Sequence, residues 1–223
     1  YLGILYLCAL PATVQSAIAF TSLARGNIPA AVCSAAASSL IGIFLTPLLV
    51  LLLMGAQGEG GSTLDAIGKI VVQLLLPFIA GQIARRWIGD WVARNKGWLK
   101  NVDQSSILLV VYTAFSHAVV EGIWQQVPLP QLLGLVLACC LLLALALLIT
   151  WLVARWLGFD LEDRITILFA GSKKSLATGI PMAQVLFAGG ALGTLILPLM
   201  LFHQIQLMVC ASRPETTSVA KAS

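Results

Sequence analysis

Two stretches decide how this chain folds. The first is Gly171-Ser172-Lys173-Lys174-Ser175-Leu176-Ala177-Thr178-Gly179-Ile180-Pro181. The second is Pro11-Ala12-Thr13-Val14-Gln15-Ser16, which continues into Ala17-Ile18-Ala19-Phe20-Thr21-Ser22. Each sets Pro or Gly beside Ser and Thr inside an otherwise apolar run. Proline removes a backbone donor and glycine loosens the helical ladder. In hydrocarbon, the freed amides and carbonyls are tolerated only where protein or a water-filled cavity meets them. Interrupted helices in the two halves of one chain point to a binding site at membrane depth, where broken helix ends face ions and anionic groups. The second reading of each stretch is a proline kink with no ligand. Lys173 and Lys174 weigh against it, because a lysine at the bilayer centre costs about 2.5–3.5 kcal/mol on insertion scales unless it is solvated or paired. A break would let both lysines face one cavity, or let one bind an anion while the other pairs internally.

The whole chain supports a membrane setting. Of 223 residues, 59% are hydrophobic and 10% are charged, and the mean hydropathy is +0.96. A soluble domain is roughly a quarter charged. These proportions exclude a soluble enzyme domain and a disordered tail. The net charge of +4, from 13 basic and 9 acidic residues, is too small and too scattered for nucleic acid. Seven apolar segments are long enough to span, taking about 20 residues as the requirement. They run over residues 1–23, 28–54, 66–88, 104–124, 131–157, 163–187 and 191–210. None alternates as a barrel strand would. The predicted class is therefore all-α, a polytopic membrane protein with about seven transmembrane helices, two of them broken and crossing. Residues 1–211 read as one transmembrane transporter domain, and residues 212–223 as a disordered polar tail.

The basic residues set the orientation. Alternating links place Arg25, Arg85, Arg86, Arg94, Lys96, Lys100, Arg155, Arg164, Arg213 and Lys221 on one side. Lys69 is left on the other with Glu59, Asp65 and Glu121. The basic side is the cytoplasm, so the C-terminus is expected inside and Tyr1 outside, in a bacterial inner membrane. A start inside an apolar run without Met predicts that helices preceding Tyr1 are missing, in odd number. The Trp residues fall near segment ends and suit an interfacial belt. Ala30 to Ser39 is rich in Ala and Ser, which read as close-packing residues rather than chemical groups.

The candidate substrate or ion residues are Thr13, Gln15, Ser16 and Thr21 in one break and Ser172, Lys173, Lys174, Ser175 and Thr178 in the other. His117 and Glu121 are four apart and share a helix face. They read either as a proton relay or, more plainly, as one interhelical hydrogen bond beside an interfacial carboxylate. His203 with Gln206 reads as packing glue. The five cysteines are odd in number and form no CxxC, so neither a disulfide framework nor a metal site is indicated. No Ser/His/Asp set, phosphate loop or HExxH appears, so no enzyme and no cofactor are expected. Partners are the lipid bilayer and a small organic anion, with no nucleic acid. The oligomeric state is not legible.

The stretch Leu10 to Ser16, followed by Ala24-Arg25-Gly26-Asn27, resembles the broken fourth helix of the bile acid:sodium symporter superfamily. The stretch Gly171 to Ala177, with Gly179-Ile180-Pro181-Met182-Ala183, resembles its broken ninth helix in the form of the SBF-like subgroup. Phe202-His203-Gln204-Ile205-Gln206-Leu207 resembles that subgroup's last helix. The resemblance implies helices four to ten of a ten-helix fold built from two inverted repeats, with the first three helices missing. It implies a secondary active transporter; the alternative is a non-transporting regulator of ion homeostasis. Sodium-coupled relatives carry a Glu and a Gln-Asn pair on the ninth helix as sodium ligands. Here Phe169 takes the acidic position, and lysines take the Gln-Asn positions. The resemblance then implies that Lys173 or Lys174 replaces a bound cation, leaving coupling absent or carried by H+ rather than Na+.

Overall fold

The computed structural model describes residues 1–54, 63–120, 122, 128–187 and 192–211. Within them the chain is all-helical. In order, α1 is Leu2–Ala9, α2 Val14–Leu23, α3 Ile28–Met54, α4 Thr63–Arg94 and α5 Lys96–Val120. Then α6 is Leu129–Trp156, α7 Leu161–Ser172, α8 Leu176–Leu186 and α9 Leu192–Ala211. These helices overlap the apolar segments read from the sequence, α1 with α2 falling in the first and α7 with α8 in the sixth, with α4 and α5 starting earlier than segments 66–88 and 104–124. Among the described residues, α3, α6 and α9 are each long and apolar enough to cross a membrane, and α1 with α2 forms a fourth candidate bent by 65°. The 212–223 tail and Glu121 lie outside the described residues.

The breaks are shorter than the sequence motifs suggested. The first is confined to residues 10–13. The second covers only residues 173–175, so Gly171 and Ser172 finish α7 and Pro181 lies inside α8. Pro181 is far enough from the α8 start to cost a ladder bond, yet α8 continues to Leu186. The interruption therefore arises at the polar Lys-Lys-Ser triplet rather than at the proline.

The bundle is arranged so that both breaks are wrapped by helices. α1 packs on α3 and α9, α2 on α3 and α7, and α7 along α6; α8 touches α4, α5 and α9. The largest apolar cluster joins Tyr6, Leu7 and Leu10 of the first broken pair to Leu176, Ile180 and Met182 of the second, with Leu199 and Phe202 of α9. Outward faces are apolar too. Leu133, Leu137, Leu141, Leu145, Ile149 and Leu152 of α6 are all more than half exposed. Their spacing by three and four places them on one helix stripe. In water such a patch would be anomalous; lipid covers it at no cost, so the protein is an integral membrane protein.

Close approach at the first break depends on glycine. A Cβ on Gly42 of α3 would stand 2.5 Å from Pro11 Cβ and 2.8 Å from its Cγ. A proline ring fixed in a break has little room to give. Gly42→Ala should therefore destabilise by about 1–3 kcal/mol, as overpacking does. Gly81→Ala of α4, where a Cβ meets nothing within 4 Å, should be neutral or slightly stabilising. Thermal midpoints of the two variants measured side by side test this; equal midpoints would contradict the packing described.

Candidate functional site

The chain ends α1 at Ala9 because Pro11 follows two residues later, and the residue before a proline avoids the helical region. Leu10 is accordingly extended, at φ −74 and ψ 147. This leaves the last α1 carbonyls without intrahelical donors. The carbonyls of Cys8 and Ala9, and those of Leu10 and Pro11 just beyond the helix, are met from elsewhere. Thr46 Oγ1 of α3 donates to Ala9 O at 2.8 Å. Lys174 Nζ donates to Cys8 O at 2.9 Å and to Leu10 O at 2.8 Å. Ser175 N–H donates to Pro11 O at 3.2 Å. On the amide side, Ala12 N–H donates to Ser38 Oγ at 3.1 Å. Thus Ser38, read from the sequence as a packing residue, holds the break itself.

The second break is held by α9. Gln206 Oε1 accepts from Lys174 N–H at 2.9 Å, and Gln206 Nε2 donates to Lys174 O at 3.0 Å. The same Nε2 is 2.9 Å from His203 Nδ1. A side-chain amide that both accepts from and donates to one residue acts as a two-point clamp on the unwound backbone. Gln206 is fully buried. The pair His203 and Gln206 is therefore a latch on the break, more specific than the packing glue the sequence suggested. Below the break, Ser175 caps α8: its Oγ accepts from Thr178 N–H at 3.2 Å and is 2.8 Å from Thr178 Oγ1. Ser172 Oγ donates back to Leu168 O at 2.6 Å.

The two lysines part company. Lys173 is extended, at φ −99 and ψ 142, and so is Ser175. Successive side chains of extended backbone point to opposite faces, so Lys174 reaches α1 while Lys173 reaches α2. Lys173 is 1% exposed. Its Nζ stands 3.4 Å from the centroid of the Phe20 ring and 5.5 Å from that of Phe169. The two rings are stacked with centroids 5.9 Å apart, inside a small cluster with Ala24, Ile165 and Cys210. The Cys210 thiol lies beside the ammonium, and no oxygen or nitrogen acceptor among the described residues reaches it. Phe20 escaped the sequence reading, although it lies between Ser16 and Thr21 in the motif. A lone apolar residue in a broken helix carries no mark of a cation above it.

Of the remaining sequence candidates, Thr13 caps α2 in extended conformation without a side-chain cap bond. Gln15 is exposed on this chain and has an interaction partner. Ser16 Oγ and Thr21 Oγ1 are both buried without a hydrogen-bond partner. The structure brings Ser16, Thr21 and Lys173 to the α2 side of the crossing, and Lys174, Ser175 and Thr178 to the α1–α8 side. It does not gather them around one point. His117 lies on α5, with its side chain outside the described residues; Glu121 is outside them altogether. The described residues include no cluster of three metal-ligating side chains.

A second tie lies at the end of α2. Arg25 takes φ 59, turning the chain so that Asn27 meets the start of α7. Asn27 N–H donates to Glu162 O at 3.2 Å and its Nδ2 to Asp163 Oδ1 at 2.8 Å. Thr166 Oγ1 returns a bond to Asn27 O at 3.1 Å. The two broken helices are thus joined both at their breaks and at one end.

Gln206→Leu preserves volume but strips both bonds from Lys174 backbone. Leaving a buried donor and a buried acceptor unmade costs about 1–3 kcal/mol each. The variant should unfold several degrees earlier than wild type by scanning fluorimetry, and Gln206→Glu should recover part of the loss through its acceptor. An unchanged midpoint in Gln206→Leu would show that the clamp contributes nothing.

Comparison with known proteins places the chain among membrane transporter relatives. The uncharacterized protein PA2026 of Pseudomonas aeruginosa is 73% identical over 211 residues, covering 95% of this chain and 63% of its own length. "Putative symporter YfeH" of Escherichia coli is 63% identical over the same shares of both chains. "Sodium/bile acid cotransporter 7" of Rattus norvegicus is 31% identical over 90% of this chain and 59% of its own. The chain thus spans less than two thirds of the length of these curated relatives. With residues 1–212 matched, the chain belongs to the SBF-like CPA transporter family.

Proposed function

We propose that the chain is part of a secondary active transporter that moves a small organic anion across the membrane without binding sodium at the crossing of its broken helices. One observation carries this reading: the Lys174 ammonium occupies the carbonyls of Cys8 and Leu10 that the broken α1 leaves exposed. Carbonyls at an interrupted helix end are the usual ligands of a coupling cation in such folds. Here a tethered cation already sits on them, and its charge repels a second one at this distance. Phe169 at the position where sodium-coupled relatives carry a carboxylate supports the same conclusion, since its ring offers no oxygen. Coupling is then absent or carried by protons.

Two lysines in the breaks favour an anionic substrate over a cationic one. The relatives' names support the transport class: one is called a symporter and another a sodium/bile acid cotransporter. We assign the whole protein to the ten-helix inverted-repeat fold, with this chain as helices four to ten and seven spans. The basic residues in and flanking the α2–α3, α4–α5 and α6–α7 links favour the cytoplasmic side of a bacterial inner membrane for those links and the C-terminus. The crossing residues Thr13, Gln15, Ser16, Thr21, Ser172, Lys173, Lys174, Ser175 and Thr178 line or support the transport site in this reading.

Full-length protein in liposomes, given a panel of labelled organic anions, should take up its substrate at the same rate in sodium and in choline medium. Lys174→Met frees the α1 carbonyls. It should lower uptake by about tenfold or more, the scale of one lost charged contact of about 1.4 kcal/mol, or introduce a sodium requirement. A strict sodium requirement in wild type, unaltered in Lys173→Ala and Lys174→Met, would sink the proposal.

A further inference from the structure

The division of labour between the lysines leaves a chemical vacancy on one side only. Lys174 has its ammonium solvated by carbonyl oxygens at and just beyond a helix C-terminus, where the helix dipole adds negative potential. Lys173 has only the faces of Phe20 and Phe169 and the Cys210 thiol. A ring face holds a cation weakly compared with an oxyanion, which forms a charge-assisted hydrogen bond. Buried charges are ordinarily paired, so a fully buried ammonium parked on a ring is a group awaiting an acceptor. The hydroxyl of Ser16 has the same standing. It is buried without a partner, and it lies four residues before Phe20, on the same face of α2. Ser16 also belongs to the first turn of the ten-residue α2, where helix polarity favours negative charge.

We propose that Lys173 and Ser16 form a subsite for the carboxylate of a monovalent organic anion, and that the Phe20 ring holds the ammonium when the subsite is empty. The inference rests on the transporter reading and names its substrate class and contact residues. The valence follows from the number of free donors. Lys174 Nζ is held on the carbonyls of Cys8 and Leu10, so one ammonium is left to bond the ligand directly. A monocarboxylate pairs with it one to one; a phosphate dianion would bury a second charge without an ammonium in contact, at substantial cost. The carboxylate would accept from Lys173 Nζ and Ser16 Oγ, and the apolar cluster of Phe20, Phe169 and Ile165 offers its organic portion a dry wall. The ammonium and the ring separate when the anion arrives, so the ring competes with the anion for one cation.

The test is binding of benzoate to the purified full-length protein, read by titration calorimetry and by the thermal midpoint, without any gradient. Failure of the transport reading through a sodium requirement is therefore distinguishable from failure here. Benzoate should raise the midpoint of wild type, while neutral benzamide and inorganic phosphate should not. Lys173→Met should weaken benzoate at least about tenfold, the loss of one charge-assisted bond, and Lys173→Arg should keep most of the affinity. Ser16→Ala, a small change that leaves the helix intact, should weaken it severalfold. Phe20→Leu removes the competitor and should tighten binding by up to about tenfold. Benzoate protection that is absent in wild type, matched by benzamide or phosphate, or undiminished in both Lys173→Met and Ser16→Ala would overturn the assignment. Weakening by Phe20→Leu equal to that by Lys173→Met would overturn the competing role of the ring.

Discussion

Everything at the crossing depends on how the broken end of α1 is satisfied. A helix that stops within an apolar bundle exposes carbonyls that neither lipid nor leucine can meet. Here Lys174 takes two of them, and Thr46 and Ser175 take the next two. The same unwinding that exposes Lys174 backbone to Gln206 frees its side chain to reach α1. Each break is thus the partner of the other. Neither would be affordable alone, and together they form a polar seam inside an apolar shell.

The seam also explains the uneven use of small residues. α3 must lie against the first break closely enough for Ser38 and Thr46 to reach backbone atoms. Ala31 and Ala35 are fully buried along the same helix, and Gly42 abuts Pro11. Larger side chains at these places would hold α3 away and leave the break's amide and carbonyl unpaired. A similar logic applies at Gly179, whose absent Cβ makes room for Leu10 and Leu199 while its carbonyl accepts from the Tyr6 hydroxyl. Tight packing here serves polar satisfaction more than area burial.

The functional asymmetry of the lysines follows from a single backbone property. The non-helical residues 173–175 between α7 and α8, with Lys173 and Ser175 extended, send neighbouring side chains to opposite sides. One lysine becomes part of the scaffold; the other is left with the faces of Phe20 and Phe169. A continuous helix would have placed them about 100° apart on one surface, and neither would have reached α1.

How much of this was legible beforehand can be judged residue by residue. The apolar excess, the segment lengths and the polar triplets inside two spans depend only on local composition. These features set the membrane class, the helical architecture and the position of both breaks. Pro181 misled, because the helix absorbs it while the Lys-Lys-Ser triplet does not. Ser38 and Gln206 looked like ordinary packing residues, because their partners are backbone atoms over 25 positions away. Phe20 carried no signal, since an aromatic side chain shows its cation only once a distant lysine lies above it. By itself, the sequence determined that two buried cations and two sets of orphaned backbone groups would have to be reconciled in an apolar interior. Only the tertiary structure decided which cation meets backbone carbonyls and which lies over aromatic rings, because pairing across 164 positions is a property of helix packing and not of neighbouring residues.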